Sequence, residues 1–239
     1  METKTNETKV LNDKFVAGEP FDYTKIHSDE YYEQYVQNFV PNNKNKWFYS
    51  LAKRGFDFFA SLIALIVFIP FFIIIAIAIK CDSKGRVIFT QKRIGKNGKP
   101  FNCYKFRSMT VDAPNDCATS LLDHSEQYLT RVGKFLRRLS LDELPQLWCV
   151  LVGKMSIIGY RPLILSEAKC NAMREKLGVF KLKPGISGYA QVHGRDDLYY
   201  KNKAILDAEY VKKANLWFDL KLIFKTVLVV LKREGNDDK

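Results

Sequence analysis

From Phe58 to Ile79 the chain carries no charged side chain. A bilayer core is crossed by ~20 residues of helix, and no other stretch restricts the fold as much as this one. Two details complicate a plain crossing. Pro70 stands near the middle, where its missing amide proton and its ring break or kink a helix. Both flanks are basic as well, with Lys53 and Arg54 before the run and Lys80, Lys84 and Arg86 after it. Lys and Arg are retained on the cytoplasmic side, which puts both ends there. A helix–break–helix that enters one leaflet and returns meets both conditions. Length alone also allows an ordinary single span, and these features leave the two topologies open. A helix buried in a water-soluble core fits least.

A chain of 239 residues holds one large domain or a domain with attachments. We divide it into an N-terminal extension (1–46), a membrane anchor (47–84) and a body (85–239). The extension is polar, then rich in Tyr. Ser28 or Asp29 caps a short helix running to about Phe39, with Tyr31, Tyr35 and Phe39 on one face, and Pro41 follows it. This segment is expected to dock loosely on the body or on a partner. Its mixed charges show no cleavable signal peptide. The five cysteines are odd in number and lack C-x-x-C spacing, as expected of reduced thiols facing cytosol.

In the body, Asn97-Gly98 is a hairpin signal between Val87-Ile88-Phe89 and the alternating Phe101–Arg107. Lys92, Arg93, Lys105 and Arg107 lie on this ribbon, either as a solvated face or as a cationic wall beside a phosphate site. Leu139-Ser140-Leu141-Asp142-Glu143-Leu144-Pro145-Gln146-Leu147 then puts adjacent carboxylates before an apolar, helical pattern that reaches Val152. Ser140 and Glu143 read as a capping box, and Pro145 suits a first turn. Asp142 and Glu143 thus sit at the positive end of a helix dipole, where anions are stabilised. An isolated S-x-x-E is ordinary helix-start chemistry. Here Arg131, Arg137 and Arg138 crowd it upstream and Gly159-Tyr160-Arg161-Pro162 follows, a combination suited to phosphoryl chemistry.

Met155–Gly159 reads as a short strand and Leu165–Leu177 as a helix. Lys183-Pro184-Gly185-Ile186-Ser187-Gly188-Tyr189 reads as a loop whose small residues let backbone approach a ligand, with Gln191, His193 and Arg195 after it. Residues 203–213 look like a mixed-charge helix. Asn215–Leu231 is apolar with a stripe of Lys221, Lys225 and Lys232, either a helix in the membrane interface or one packed on the core. The net charge of +12 asks for an anionic partner. The apolar anchor and scattered lysines exclude nucleic acid as that partner. No Walker A, G-x-G-x-x-G, Asp-x-Asp or zinc-like cluster is present.

Taken in order, the motifs resemble the bacterial sugar transferases, the monotopic phosphoglycosyl transferases. The matching pieces are Lys53-Arg54-x-x-Asp57, Pro70, Phe89-x-Gln91-x-Arg93-x-Gly95, Tyr104–Met109, Ser140–Leu147, Gly159-x-Arg161-Pro162, Lys183–Gly188, Ala190-Gln191-Val192 and Gly194-Arg195. The likeness spans residues 47 to 233. Cys149, Lys154, Tyr160 and His193 depart from the usual pattern, and none of them removes the carboxylate pair.

The resemblance implies an α+β fold, mostly helical, with a re-entrant anchor, a small β-ribbon and interfacial amphipathic helices around a cytosolic-face active site. It implies an enzyme of the bacterial cytoplasmic membrane that moves a sugar 1-phosphate from a UDP-sugar to undecaprenyl phosphate and releases UMP. Asp142 would be the nucleophile, and Glu143 would hold Mg²⁺, with Asp142, or assist proton handling. Lys105, Arg107, Arg137, Arg161, Pro162, Lys183, Gln191 and Arg195 would contact substrate, and Lys53, Arg54 and Pro70 would serve the anchor. Downstream glycosyltransferases are the expected protein partners. A non-catalytic basic membrane adaptor is the alternative. The sugar is open, with a slight tilt to acetamido sugars.

Overall fold

The computed structural model describes residues 29–40, 47–114, 125–194 and 199–231. Its elements run α1 (Asp29–Asn38), α2 (Trp47–Asp82), β1 (Ile88–Ile94), β2 (Pro100–Phe106), α3 (Arg131–Arg138), α4 (Gln146–Leu151), β3 (Ser156–Ile158), α5 (Ala168–Lys176), β4 (Gly185–Ser187), α6 (Tyr200–Lys213) and α7 (Leu216–Leu231). Helix dominates, and the strands form two small sheets, the antiparallel β1–β2 ribbon and the parallel β3–β4 pair. This is the expected α+β class.

Pro70 lies inside α2 without ending it, so the expected break is not an interruption of helical structure. The contacts at the two ends show what the proline does instead. Near the start, Arg54 donates to the carbonyls of Val150 (2.8 Å) and Leu151 (2.7 Å), the last acceptors of α4. One turn on, Asp57 accepts from the Ile157 amide (3.0 Å). Near the other end, Ile75 and Ile79 pack with Phe106, Leu136, Leu141 and Leu144. A straight helix would hold Arg54 and Ile79 about 37 Å apart at its usual rise. Both instead dock along residues 141–151, a 3₁₀ turn and a six-residue helix much shorter than that distance. The helix is therefore bent. Pro70 lies between the two docking regions, and a proline is the ordinary cause of such a bend. Phe59, Ile63, Ile66, Val67, Ile69 and Phe71, around the bend, are all more than half exposed. By length and composition α2 can cross a membrane.

A buried polar knot fixes the first arm of α2 to the body. Asp219 of α7 accepts from Lys53 Nζ (2.7 Å), Tyr49 (2.8 Å) and Tyr210 (2.7 Å). The outer face of α7 exposes Trp217, Leu220, Phe224 and Val227 while Leu222 is buried, so it carries both a packed face and a bare apolar one. Lys232, the last of its lysine stripe, lies outside the described residues.

The ribbon forms as the sequence predicts. Asn97 (φ 58°) and Gly98 (φ 70°) both take the left-handed region its turn needs, and the register pairs Ile94 with Pro100 and Phe89 with Lys105. The extension differs from expectation: α1 is not loosely docked. Tyr32 and Tyr35 are buried in one core with Tyr160, Val179, Ile205 and Ala208. Tyr35 also donates to Glu209 (2.8 Å), and Lys212 lies over the rings of Tyr35 and Phe39. The aromatic face alone did not reveal that its partner surface, α6, belongs to the same chain. Cys103, Cys149 and Cys170 are buried and Cys81 is exposed, all as free thiols. Cys117 and the side chain of Tyr31 lie outside the described residues.

Candidate active site

The two adjacent carboxylates sit in a tight turn, and the turn differs from the one expected. Ser140 adopts a left-handed conformation (φ 57°) and its side chain caps nothing. Its carbonyl instead accepts from the Glu143 amide (3.3 Å), closing a 3₁₀ turn over Leu141–Glu143. The capping box is therefore absent, because a cap needs extended backbone at that residue. Helix α4 starts only at Gln146 and has six residues, too little for its dipole to dominate. Discrete charges do that work. Leu141 and Leu144 enter the core beneath the second arm of α2.

Lys105, on β2, places its Nζ 2.7 Å from Glu143 Oε1 and 3.7 Å from Asp142 Oδ2. Arg161 places Nη2 3.2 Å from the same Glu143 oxygen. Arg137, anchored on Ser108 Oγ (2.9 Å), adds positive potential at Asp142. The two carboxyls respond in opposite directions. Burial pushes Asp142 above the usual range and the neighbouring Glu143 charge pushes the same way, against Lys105, Arg137 and Arg161. Burial would raise Glu143 too, but Arg161, Lys105 and Arg93 outweigh it and hold that carboxyl well below its usual range. Glu143 is thus a fixed anion in a cationic clamp. Asp142, 6% exposed, is a desolvated carboxyl group beside it.

Arg161 belongs to an irregular segment held along its backbone. The Tyr160 carbonyl accepts from the Gly185 amide (2.8 Å), that of Arg161 from Arg174 Nη1 (2.8 Å), that of Pro162 from Arg93 Nη1 (2.6 Å) and that of Leu163 from the Ile94 amide (3.0 Å). Gly188 shows why small residues surround it: a Cβ there would collide with the Gly159 carbonyl oxygen. The small residues of 183–188 therefore serve a strand pairing, with Gly185 opposite Ser156 and Ser187 opposite Ile158. The close approach that the composition implied is here made to the neighbouring strand.

Of the expected substrate contacts, Lys105, Arg137 and Arg161 converge on the carboxylates, and Pro162 follows directly. Arg107 does not point there. It closes the C-terminal end of α2 through Lys84 (2.8 Å) and Ser83 (2.7 Å) carbonyls. Lys183 lies beside Gly153 and Arg54, where burial and then Arg54 lower its pKa. Gln191 donates to the carbonyl of Ile186 in β4 (2.7 Å). Arg195 lies outside the described residues. His193 meets the Tyr189 carbonyl through Nδ1 (2.7 Å) and Lys225 through Nε2 (2.9 Å). Arg93, named in the sequence as one of the ribbon's basic residues, also acts on Glu143, as a cationic wall would. Arg174 escaped sequence reasoning, being one more charge in a polar helix.

Known proteins similar to this chain point to one family. The family model described as bacterial sugar transferase matches residues 48–233. An undecaprenyl-phosphate glucose phosphotransferase of Komagataeibacter xylinus is 40% identical over 193 residues, covering 74% of this chain and 35% of that protein. A UDP-N-acetylgalactosamine-undecaprenyl-phosphate N-acetylgalactosaminephosphotransferase of Aeromonas hydrophila is 36% identical, covering 87% and 49%. The exopolysaccharide production protein ExoY of Rhizobium meliloti (strain 1021) is 35% identical, covering 78% and 88%. The chain thus spans about a third to a half of several curated relatives and most of another. With the matched span taking in all of α2 but its first residue, the ribbon and both carboxylates, the chain belongs to the bacterial sugar transferase family.

Proposed function

We propose that the protein transfers a sugar 1-phosphate from a UDP-sugar to undecaprenyl phosphate. The observation that carries this reading is the adjacent pair itself, one carboxylate clamped by Lys105 and Arg161 and its neighbour desolvated beside it. Asp142 attacks the β-phosphorus, the bond to the bridging oxygen breaks, and UMP leaves with that oxygen's electron pair. The product is a phosphosugar aspartyl ester. A phosphate oxygen of the polyprenyl acceptor then attacks the same phosphorus and returns Asp142 as carboxylate. Lys105, Arg137 and Arg161 offset the charge of the diphosphate and of the transition state.

Mg²⁺ is the metal that the family likeness implies. Among the described residues no group of three or more His, Cys, Asp or Glu converges. The pair nonetheless fits, because Mg²⁺ commonly takes one or two carboxylates and fills its shell with water and substrate phosphate. Asp142 and Glu143 would hold it, and it would neutralise charge on the diphosphate.

The bend of α2, its basic flanks and its exposed apolar middle support an anchor that enters and leaves by the cytoplasmic face of the bacterial inner membrane. The bare faces of α2 and α7 then lie in lipid at the depth where a polyprenyl phosphate headgroup waits. Glucose and N-acetylgalactosamine both occur in the names of relatives, so we leave the sugar to a panel. Purified protein with each UDP-sugar and undecaprenyl phosphate should release UMP with at least one donor, whereas a basic membrane adaptor would release none. With donor alone, the peptide bearing Asp142 should gain the mass of one phosphosugar, and Asp142→Asn should show neither effect. A variant lacking that carboxylate that still turned over normally would end the covalent reading.

A further inference from the structure

Arg174 and Asp207 form an ion pair with side chains 1% and 0% exposed, at 2.5 Å. The reaction above uses neither residue. A buried pair of this kind is a poor way to stabilise a core, because desolvating both charges cancels most of their attraction. An aliphatic pair in the same space would hold α5 to α6 at least as well. The pair does something that an aliphatic pair cannot. Arg174 turns its other terminal nitrogen, Nη1, to the carbonyl of Arg161 (2.8 Å) and lays its guanidinium over the ring of Tyr160 (5.5 Å). The planar guanidinium suits this double duty, one nitrogen for the carboxylate and one for the carbonyl. The side chain of that same Arg161 reaches Glu143.

We propose that Arg174, charge-balanced by Asp207, is a positioning residue that aims Arg161 at the Glu143 carboxylate by gripping the Arg161 backbone. The inference rests on the transferase reading for its kinetic consequence, while its geometric half stands without it. Arg174 touches no substrate. It acts through Arg161, in register with the grips that Gly185 and Arg93 hold on the flanking carbonyls.

The test replaces the pair by apolar residues of similar volume, R174M with D207L, in the full chain in detergent or nanodiscs. The melting temperature should hold, and kcat for UMP release should fall by about ten- to a hundredfold, the scale of a misplaced catalytic group. KM for the donor should move less. In an R161A background the same replacement should cost nothing further, because its target is already gone. A loss that multiplies equally in both backgrounds, or an unchanged kcat, overturns the proposal. If the apolar pair fails to fold, D207N with R174 retained enters the same cycle and is judged by the same criterion.

A second readout needs no turnover. Labelling with an arginine-selective dicarbonyl, followed by peptide mass spectrometry, should show Arg161 reacting several-fold faster in the replaced pair than in wild type, with Arg137 unchanged. Equal acceleration at both arginines would mean general loosening and would also overturn it. Wild-type protein that released no UMP from any donor would sink the transferase reading, and this labelling would still decide the positioning role.

Discussion

Asp142 and Glu143 share a turn and a cation, yet their surroundings drive their ionisation apart. The sign of each shift sets how the site should answer to pH. In the proposed reaction Asp142 attacks as the anion, and burial raises its pKa, so the acid limb of UMP release should lie above the ordinary aspartate value of about 4. Lys105 lowers that pKa. Removing it in Lys105→Met should therefore shift the limb to higher pH as well as slow the reaction, readable in a pH–rate series on both proteins. A chelator should suppress UMP release, and added Mg²⁺ should restore it, if the carboxylates hold that ion. At this scale much of the site was legible: the acidic pair, Lys105, Arg137 and Arg161 can all be picked out from motif and charge. Arg107 and Ser140 could not be read correctly, because which carbonyl an arginine closes, or whether a serine turns left-handed, depends on chain far away in sequence.

Among the elements, α1 and α2 each carry a prediction. Tyr35→Phe keeps the ring in the core and removes the hydroxyl that donates to Glu209. It should lower stability by about 1.5 kcal/mol, the scale of a hydrogen bond to a charged group, measured by denaturant unfolding in micelles. For α2, cysteines placed at positions 47 and 84 should be labelled from the same side of the membrane, and opposite sides would remove the re-entrant reading. The ribbon was legible because Asn97 and Gly98 state their own conformation. The docking of α1 was not, since a stripe of tyrosines does not say what it faces. Pro70 announced a bend but not that the helix would persist through it.

As a whole, the molecule joins a body of net charge +12 to apolar surfaces on α2 and α7 that no described part of the chain covers. These two features bind membranes differently. Electrostatic attraction fades at high salt, while burial of aliphatic surface does not. Membranes containing the protein should retain it through a molar salt wash and release it to detergent. Release by salt alone would mean that α2 does not enter lipid.

The two arms of α2 hold opposite ends of the few residues that carry Asp142. In the proposed re-entrant seating, a wedge in one leaflet feels the sideways crowding of the acyl chains around it, and any change in its opening angle pulls on the turn between its feet. The enzyme should therefore sense how tightly its lipids are packed. Turnover in vesicles should change when loosely packed unsaturated chains replace ordered saturated ones, even with donor and acceptor held constant.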